Sequence, residues 1–193
     1  MLVCKFGGTS MSDAQSITQV VNIIQANPKR KVIVVSAPGK LKDADKITDV
    51  LIKCYKTAKE GKSCKELFEK VKSRFHSIIK DLKINIDISD ELDQVMRDID
   101  AGASYDYTAS RGEYLMALTL AKYLGFEFVD AKDIIKFDKN NAFDSELTNT
   151  YTQNTLQDKV TKGVVVPGFY GSNPDGVICT FSRGGSDITG AIL

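Results

Sequence analysis

Within its first ten residues the chain sets Lys5, Gly7, Gly8, Thr9 and Ser10 in the stretch KFGGTS, directly behind the apolar run LVC. A lysine is a mobile cation. Two glycines without Cβ atoms let the backbone approach a ligand closely, and two hydroxyls add donors. Together they suit a polyphosphate held where a strand ends. The plain alternative is a strand-to-helix turn beside a solvated lysine, and these six residues leave both readings open. Three further segments carry related chemistry. VVSAPGK (34–40) ends an apolar run with Ser36 and Gly39. ASRGE (109–113) places Arg111 and Glu113 at the expected entry of a helix, and FSRGGSD (181–187) repeats the glycine pair before the last helix. Taken singly, Glu113 could favour a helix dipole, Arg183 could be a surface cation and Asp187 a helix N-cap. Two familiar phosphate motifs are missing. EGKS (60–63) lacks the earlier glycine and preceding strand of a Walker A loop, and there is no GxGxxG.

Alternating strands and helices must position these groups. LVCKF reads as a buried strand, SDAQSITQVVNIIQAN as a helix capped by Ser12, and KVIVVS as a second strand, which makes a βαβ unit and a parallel sheet. From about residue 43 to 100 the pattern is helical, with ITDVLIKCYKTAKEG, KELFEKVKSRFHSIIKDL and SDELDQVMRDID in turn. This reads as a helical excursion from the sheet, and its stripe of Leu67, Val71, Phe75, Ile78 and Ile79 reads as core. A helix GEYLMALTLAKYLG, a strand FEFVDA, the apolar run DIIKF, a helix near TQNTLQDKV, a strand GVVVPGFYG and a hairpin over NPDGVICTF complete the order. In such an α/β layout ligands gather at the carboxyl ends of strands, so the four segments are expected on one edge.

Composition narrows the class. The 193 residues carry 26 Lys plus Arg against 25 Asp plus Glu, and this balance gives no footprint for nucleic acid. No apolar run is long enough to span a membrane, and the expected setting is cytoplasmic. Cys4, Cys54, Cys64 and Cys179 form no CxxC pair and read as reduced thiols. With His76 as the one histidine, a His-rich metal site cannot be built, and His76 itself reads as a helix-face residue.

The ordered set KFGGTS, VVSA (34–37), Thr48-Asp49, Gly112-Glu113, VPGFYG (166–171) and RGGSD (183–187) resembles the aspartate kinases of the amino acid kinase family over nearly the whole chain. VSAPGK in place of VSAM, and Ser182 where many members have glycine, are departures. The resemblance implies a three-layer αβα sandwich with a mainly parallel sheet and the helical excursion. It implies ATP-dependent phosphorylation of the L-aspartate β-carboxylate, the entry to lysine, threonine and methionine synthesis. Phosphoryl transfer to a carboxylate needs positioning and charge neutralisation more than a general base, so the lack of a catalytic histidine is no objection. By the same resemblance Lys5 would bridge the transferring phosphoryl group, and Gly7, Gly8 and Ser36 would contribute donors around the phosphates. Thr48 and Glu113 would hold the aspartate, Glu113 through its α-ammonium. Arg183 would pair with a substrate carboxylate, assisted by Ser186, and Asp187 would orient Lys5. Mg²⁺ would travel with ATP, held chiefly by phosphate oxygens and water, with no protein ligand assigned.

The chain closes on Ala191, Ile192 and Leu193 with no stop signal. Residues 1–193 are therefore expected to be the amino-acid and phosphoryl-transfer part of a longer, homo-oligomeric protein. Its nucleotide-binding remainder and regulatory ACT domains would follow, and this part alone would have little activity. The rival readings are a glutamate or carbamate kinase, and a non-catalytic amino-acid-binding regulatory subunit that would tolerate Lys5→Ala.

Overall fold

After its charged start at Arg30 and Lys31, the run RKVIVV continues as four successive apolar residues, as expected for a strand covered on both faces. In the computed structural model, which describes residues 1–182 and 184–193, this run is β2 (Arg30–Val35). It lies between β1 (Leu2–Phe6) and β4 (Val164–Pro167), with the short β3 (Glu127–Phe128) at the far edge, in the order β1-β2-β4-β3. Every pairing in this sheet is parallel. Side-chain alternation divides the interior in two. Ile33, Val35 and Val165 enter one core, whereas Val32, Val34, Val164 and Val166 enter the other. The expected three-layer α/β arrangement is thus present.

On the first face lie α1 (Ala14–Gln25), α2 (Ile47–Lys59), α3 (Lys65–Asp81), α4 (Ser89–Asp100) and α5 (Tyr105–Leu124). Val71, Phe75 and Ile78 of α3 share one core with Ile33 and Val35 of the sheet, while Leu67 and Ile79 are half-buried beside it. The helical excursion is therefore continuous with the sheet's own core. His76 is exposed on α3. The second face is covered by α6 (Ala131–Ile134), α7 (Ser145–Leu156) and the end of α8 (Gly185–Ile192). Among the described residues no helix is long and apolar enough to cross a membrane.

Several boundaries differ from the sequence reading. Asp13, not Ser12, caps α1: its carboxylate accepts from the Ser16 N–H at 2.8 Å, while Ser12 donates to the Thr9 carbonyl in a 3₁₀ turn over Gly8–Met11. The strand expected over FEFVDA shrinks to Glu127–Phe128, because Asp130 turns its side chain onto the Lys132 N–H and starts α6. α7 starts at Ser145, well before the expected TQNTLQDKV, because Asp144 caps it. GVVVPGFYG is not one strand. It ends as β4 at Pro167, turns at Gly168 and Phe169, and resumes as β5 (Tyr170–Ser172), which pairs antiparallel with β6 (Ile178–Thr180) in the expected hairpin.

The largest difference concerns α5. Ser104 accepts from the Tyr107 N–H at 3.1 Å and begins the helix at Tyr105, so Arg111 and Glu113 lie two turns inside it, not at its entry. The dipole explanation for Glu113 is thereby removed, since that effect fades beyond the first turn.

Candidate functional site

Parallel pairing brings three strand ends to one level. Phe6 stands beside Val35 and Val35 beside Pro167. The ladder then runs one step further, with the Ser36 N–H donating to the Phe6 carbonyl at 3.1 Å and the Gly168 N–H to the Val35 carbonyl at 2.9 Å. The loops leaving β1, β2 and β4 therefore open on one edge, as a parallel sheet dictates.

At that edge lies a cleft of about 230 Å³ lined by Lys5, Ser36, Thr48, Glu113, Ser186 and Asp187, with Phe169, Gly184 and Gly185 completing its wall. Six of the nine site residues expected from sequence thus line one cavity. Gly7 and Gly8 do not line it. Gly8 instead packs against the neighbouring loop: a Cβ there would stand 3.0 Å from the Ala37 carbonyl oxygen, and the Gly39 N–H donates to the Gly8 carbonyl at 2.8 Å. The expected role of Arg183 falls outside the described residues.

Lys5 reaches its place because two elements leave room. Gly190 of α8 faces the lysine stem, where an added Cβ would lie 3.0 Å from the Lys5 Cβ. Its Nζ then meets Asp187 Oδ1 at 2.6 Å. The Asp187 side chain is 72% exposed, and such an ion pair adds at most about 1 kcal/mol to stability. Its effect is to aim the ammonium group into the cleft. Asp187 sits in the first turn of α8, where a carboxylate also suits the helix N-terminus.

Glu113 is the most unusual group in the cleft. It is fully buried, and desolvation pushes its carboxyl up to about 7, opposed by the Ala37 N–H, its own backbone N–H and the charge of Arg111. Its Oε2 is sealed from solvent without a hydrogen-bond partner, the one such side-chain atom among the described residues. A native buried acceptor left unpaired costs free energy unless something arrives to satisfy it. Gly112 makes the arrangement possible. A Cβ on it would stand 2.6 Å from the Ala37 Cβ, so only glycine lets the loop after β2 lie against α5 closely enough for the Ala37 N–H to reach Glu113. Gly112→Ala should lower the melting temperature by an amount equal to about 1–3 kcal/mol, the usual cost of overpacking, and weaken any ligand held by Glu113; a thermal melt and a binding titration check both.

Two contributors escaped the sequence reading. Ala37 has no side-chain chemistry to signal it. Phe169 adopts φ 86°, a conformation uncommon for an aromatic residue, held by its N–H on Thr189 Oγ1 at 3.1 Å and by the Phe181 N–H on its carbonyl at 2.9 Å. Strain of this kind clusters at ligand sites, and Phe169 forms part of the cleft wall. The only advance signal was the Gly168 that precedes it.

The sequence pattern of the amino acid kinase family matches residues 1–193. The chain belongs to that family. As an amino acid kinase family member it is 34% identical to Aspartokinase 3 of Bacillus subtilis (strain 168) over 206 residues, covering 100% of this chain and 45% of the relative. The Chlamydia trachomatis aspartokinase is 29% identical over 205 residues, again covering 45% of the relative. Among solved structures, the Clostridium acetobutylicum aspartate kinase superposes with a TM-score of 0.94 at 43% identity, covering 100% of this chain and 44% of that one. E. coli aspartokinase III, solved in complex with aspartate and ADP, shares the fold with a TM-score of 0.84 at 21% identity. The chain spans a little under half the length of these relatives.

Proposed function

We propose that this chain carries the amino-acid and phosphoryl-transfer side of an aspartate kinase, which transfers a phosphoryl group from ATP to the β-carboxylate of L-aspartate. The observation that carries the reading is the orphaned Glu113 Oε2, a buried acceptor on a residue that lines the same cleft as Lys5. A substrate ammonium would satisfy the first, and negative charge developing on a phosphoryl group would meet the second. A small acidic amino acid presents its α-ammonium and side-chain carboxylate at a spacing that a cleft of about 230 Å³ can accommodate. Names borne by several relatives of this family point the same way.

Each side chain has a part in that chemistry. Glu113 takes the ammonium group, with Thr48 beside it, and Arg183 and Ser186 take a substrate carboxylate. Ser36, Gly7 and Gly8 contribute donors around the phosphates. Lys5, aimed by Asp187, neutralises charge on the transferring group. The attacking carboxylate is already a nucleophile, and no group in the cleft is required to take a proton from it. Mg²⁺ would supply further charge neutralisation. Among the described residues no three His, Cys, Asp or Glu side chains gather to hold an ion, a donor set that fits one carried in on phosphate oxygens and water. The expected cytoplasmic setting, a homo-oligomeric parent and a nucleotide-binding remainder belong to this same proposal.

Calorimetry of L-aspartate binding, with L-glutamate as the control, tests the reading. Aspartate-selective heats at neutral pH support it. Equal or preferred binding of glutamate would move the assignment to another acceptor amino acid, and aspartate binding by a full-length protein that shows no kinase turnover would favour a regulatory binding role.

A further inference from the structure

Thr189 sits in α8 two residues after Asp187 and takes no part in the chemistry above. It is fully buried. Its Oγ1 donates to the Gly185 carbonyl, one turn back, at 2.9 Å and accepts from the Phe169 N–H at 3.1 Å. The first bond is the ordinary back-bonding of a hydroxyl inside a helix. The second is not local, since it crosses from α8 to a residue 20 positions earlier in the chain. One hydroxyl can serve both at once because it has a donor and free acceptor sites.

The backbone that Thr189 meets is strained. Phe169 holds φ 86°, a region that residues with a Cβ populate sparsely and keep only where their surroundings over-determine it. Three hydrogen bonds do so here. The Gly168 N–H donates to the Val35 carbonyl, the Phe181 N–H to the Phe169 carbonyl, and the Phe169 N–H to Thr189. The first two join backbone to backbone, so among the described residues the Thr189 hydroxyl is the one side-chain tie on this turn. The turn and the start of α8 also touch with no room between them. A Cβ on Gly168 would stand 2.6 Å from the Ser186 Cβ, and one on Gly185 would stand 2.7 Å from Cδ2 and 2.9 Å from Cα of Phe169. Phe169, Gly185, Ser186 and Asp187 all line the cleft, and Asp187 in turn pairs with Lys5. Thr189, which is not itself a lining residue, therefore ties together two segments that form one wall.

We propose that Thr189 is a positioning residue for phosphoryl transfer: its hydroxyl clamps the Phe169 turn to the first turn of α8, so that Phe169, Ser186 and the Lys5–Asp187 pair meet the ligand as one preformed wall. That the ligand is aspartate rests on the reading above, whereas the clamp does not. Phosphoryl transfer depends mainly on placement, so a hydroxyl that never touches the substrate can govern the rate by fixing the residues that do.

The test uses the full-length protein, with kinase turnover on aspartate and amide hydrogen exchange followed by NMR after phenylalanine-selective nitrogen-15 labelling. Thr189→Val keeps the shape and removes both bonds. It should lower kcat/KM for aspartate by about 10²-fold, the effect of a misplacement of about 1 Å. It should also quicken exchange of the Phe169 amide by about tenfold while leaving the Phe75 amide, deep in α3, as slow as in the wild type. Thr189→Ser keeps the hydroxyl and should hold both readouts within about threefold of the wild type. In a Phe169→Gly background, where φ 86° carries no strain, Thr189→Val should cost much less than it does alone, a coupling that a general loss of stability would not show. Unchanged kcat/KM in folded Thr189→Val, exchange that quickens equally at Phe169 and Phe75, or losses that simply multiply in the double variant would reduce Thr189 to packing and overturn the proposal. Should Thr189→Val fail to fold, Thr189→Ser decides: a native rate with a protected Phe169 amide supports the clamp, and a loss as large as that expected for valine would assign the effect to the missing methyl group and overturn it. A wild type that neither binds nor phosphorylates aspartate, with the Phe169 amide still released selectively in Thr189→Val, would remove aspartate as the ligand and retain the clamp.

Discussion

Lys5→Met should lower kinase turnover by about 10² to 10³-fold, the usual effect of removing one preorganised group from a site of developing charge, while aspartate affinity changes little. The asymmetry follows from where the lysine points. Its ammonium is held 2.6 Å from the Asp187 carboxylate, whereas the bound amino acid is proposed to be anchored by Glu113, so the lysine's contribution is expected on the transferring group more than on the bound amino acid. Lys5→Arg should not restore the rate. The stem passes Gly190 at a distance that leaves no slack, and a planar fork cannot reproduce a compact ammonium. Asp187→Asn keeps the shape but removes the charge that aims the lysine, and should cost about tenfold, roughly one hydrogen bond to a charged group. A coupled assay of ADP release on the full-length protein, since residues 1–193 alone are expected to have little activity, reads all three with KM for aspartate and kcat separated. A loss in KM alone would place Lys5 on the substrate carboxylate instead.

What could be read ahead of the structure, and what could not, divides along physical lines. The β1-α1-β2 unit was legible because periodicity changes visibly from the continuous apolar runs LVCKF and KVIVVS to a stripe spaced by three and four in α1. The excursion helices were legible for the same reason, and SDELDQVMRDID coincides with α4 residue for residue. The start of α5 was not. A glycine within a helical pattern reads as a boundary, and the sequence offers one at Gly112. Its true cause is tertiary: the Ala37 Cβ occupies the space that a Gly112 side chain would need. The strand expected through VPGFYG failed similarly, because nothing local announces that Phe169 will adopt a positive φ. That conformation is held by Thr189 and Phe181, which lie 20 and 12 residues further along. The site was legible where charged or hydroxyl side chains carry it, as with Lys5, Thr48, Glu113 and Asp187. It was hidden where a backbone N–H or an apolar wall residue contributes, as with Ala37 and Phe169.

The second large effect is expected at Glu113, where stability and binding should move in opposite directions. Its carboxyl titrates at about 7 in the folded protein, against an ordinary glutamate value of 4.5. A group whose folded value is raised favours the folded state while protonated. That contribution is complete below about pH 4.5 and is lost as pH rises through about 7, so at and above neutrality the buried carboxylate burdens the unliganded fold by about 3 kcal/mol. Glu113→Gln, which keeps the shape and removes the charge, should therefore raise the melting temperature at about pH 8 and change it little at about pH 4.5. The same substitution should weaken aspartate by two orders of magnitude or more, because the ammonium group loses its buried counter-charge, worth about 3 kcal/mol when such a pair is broken. In the wild type, ammonium binding favours the carboxylate form, so near pH 7 a fraction of the protein must release a proton as aspartate binds. The calorimetric heat should then vary with the ionisation enthalpy of the buffer, most strongly between about pH 6 and 7, and this dependence should vanish in Glu113→Gln. A buffer-independent heat in the wild type would mean that Glu113 is fully ionised before the ligand arrives, and the orphaned oxygen would then have some other partner than the substrate ammonium.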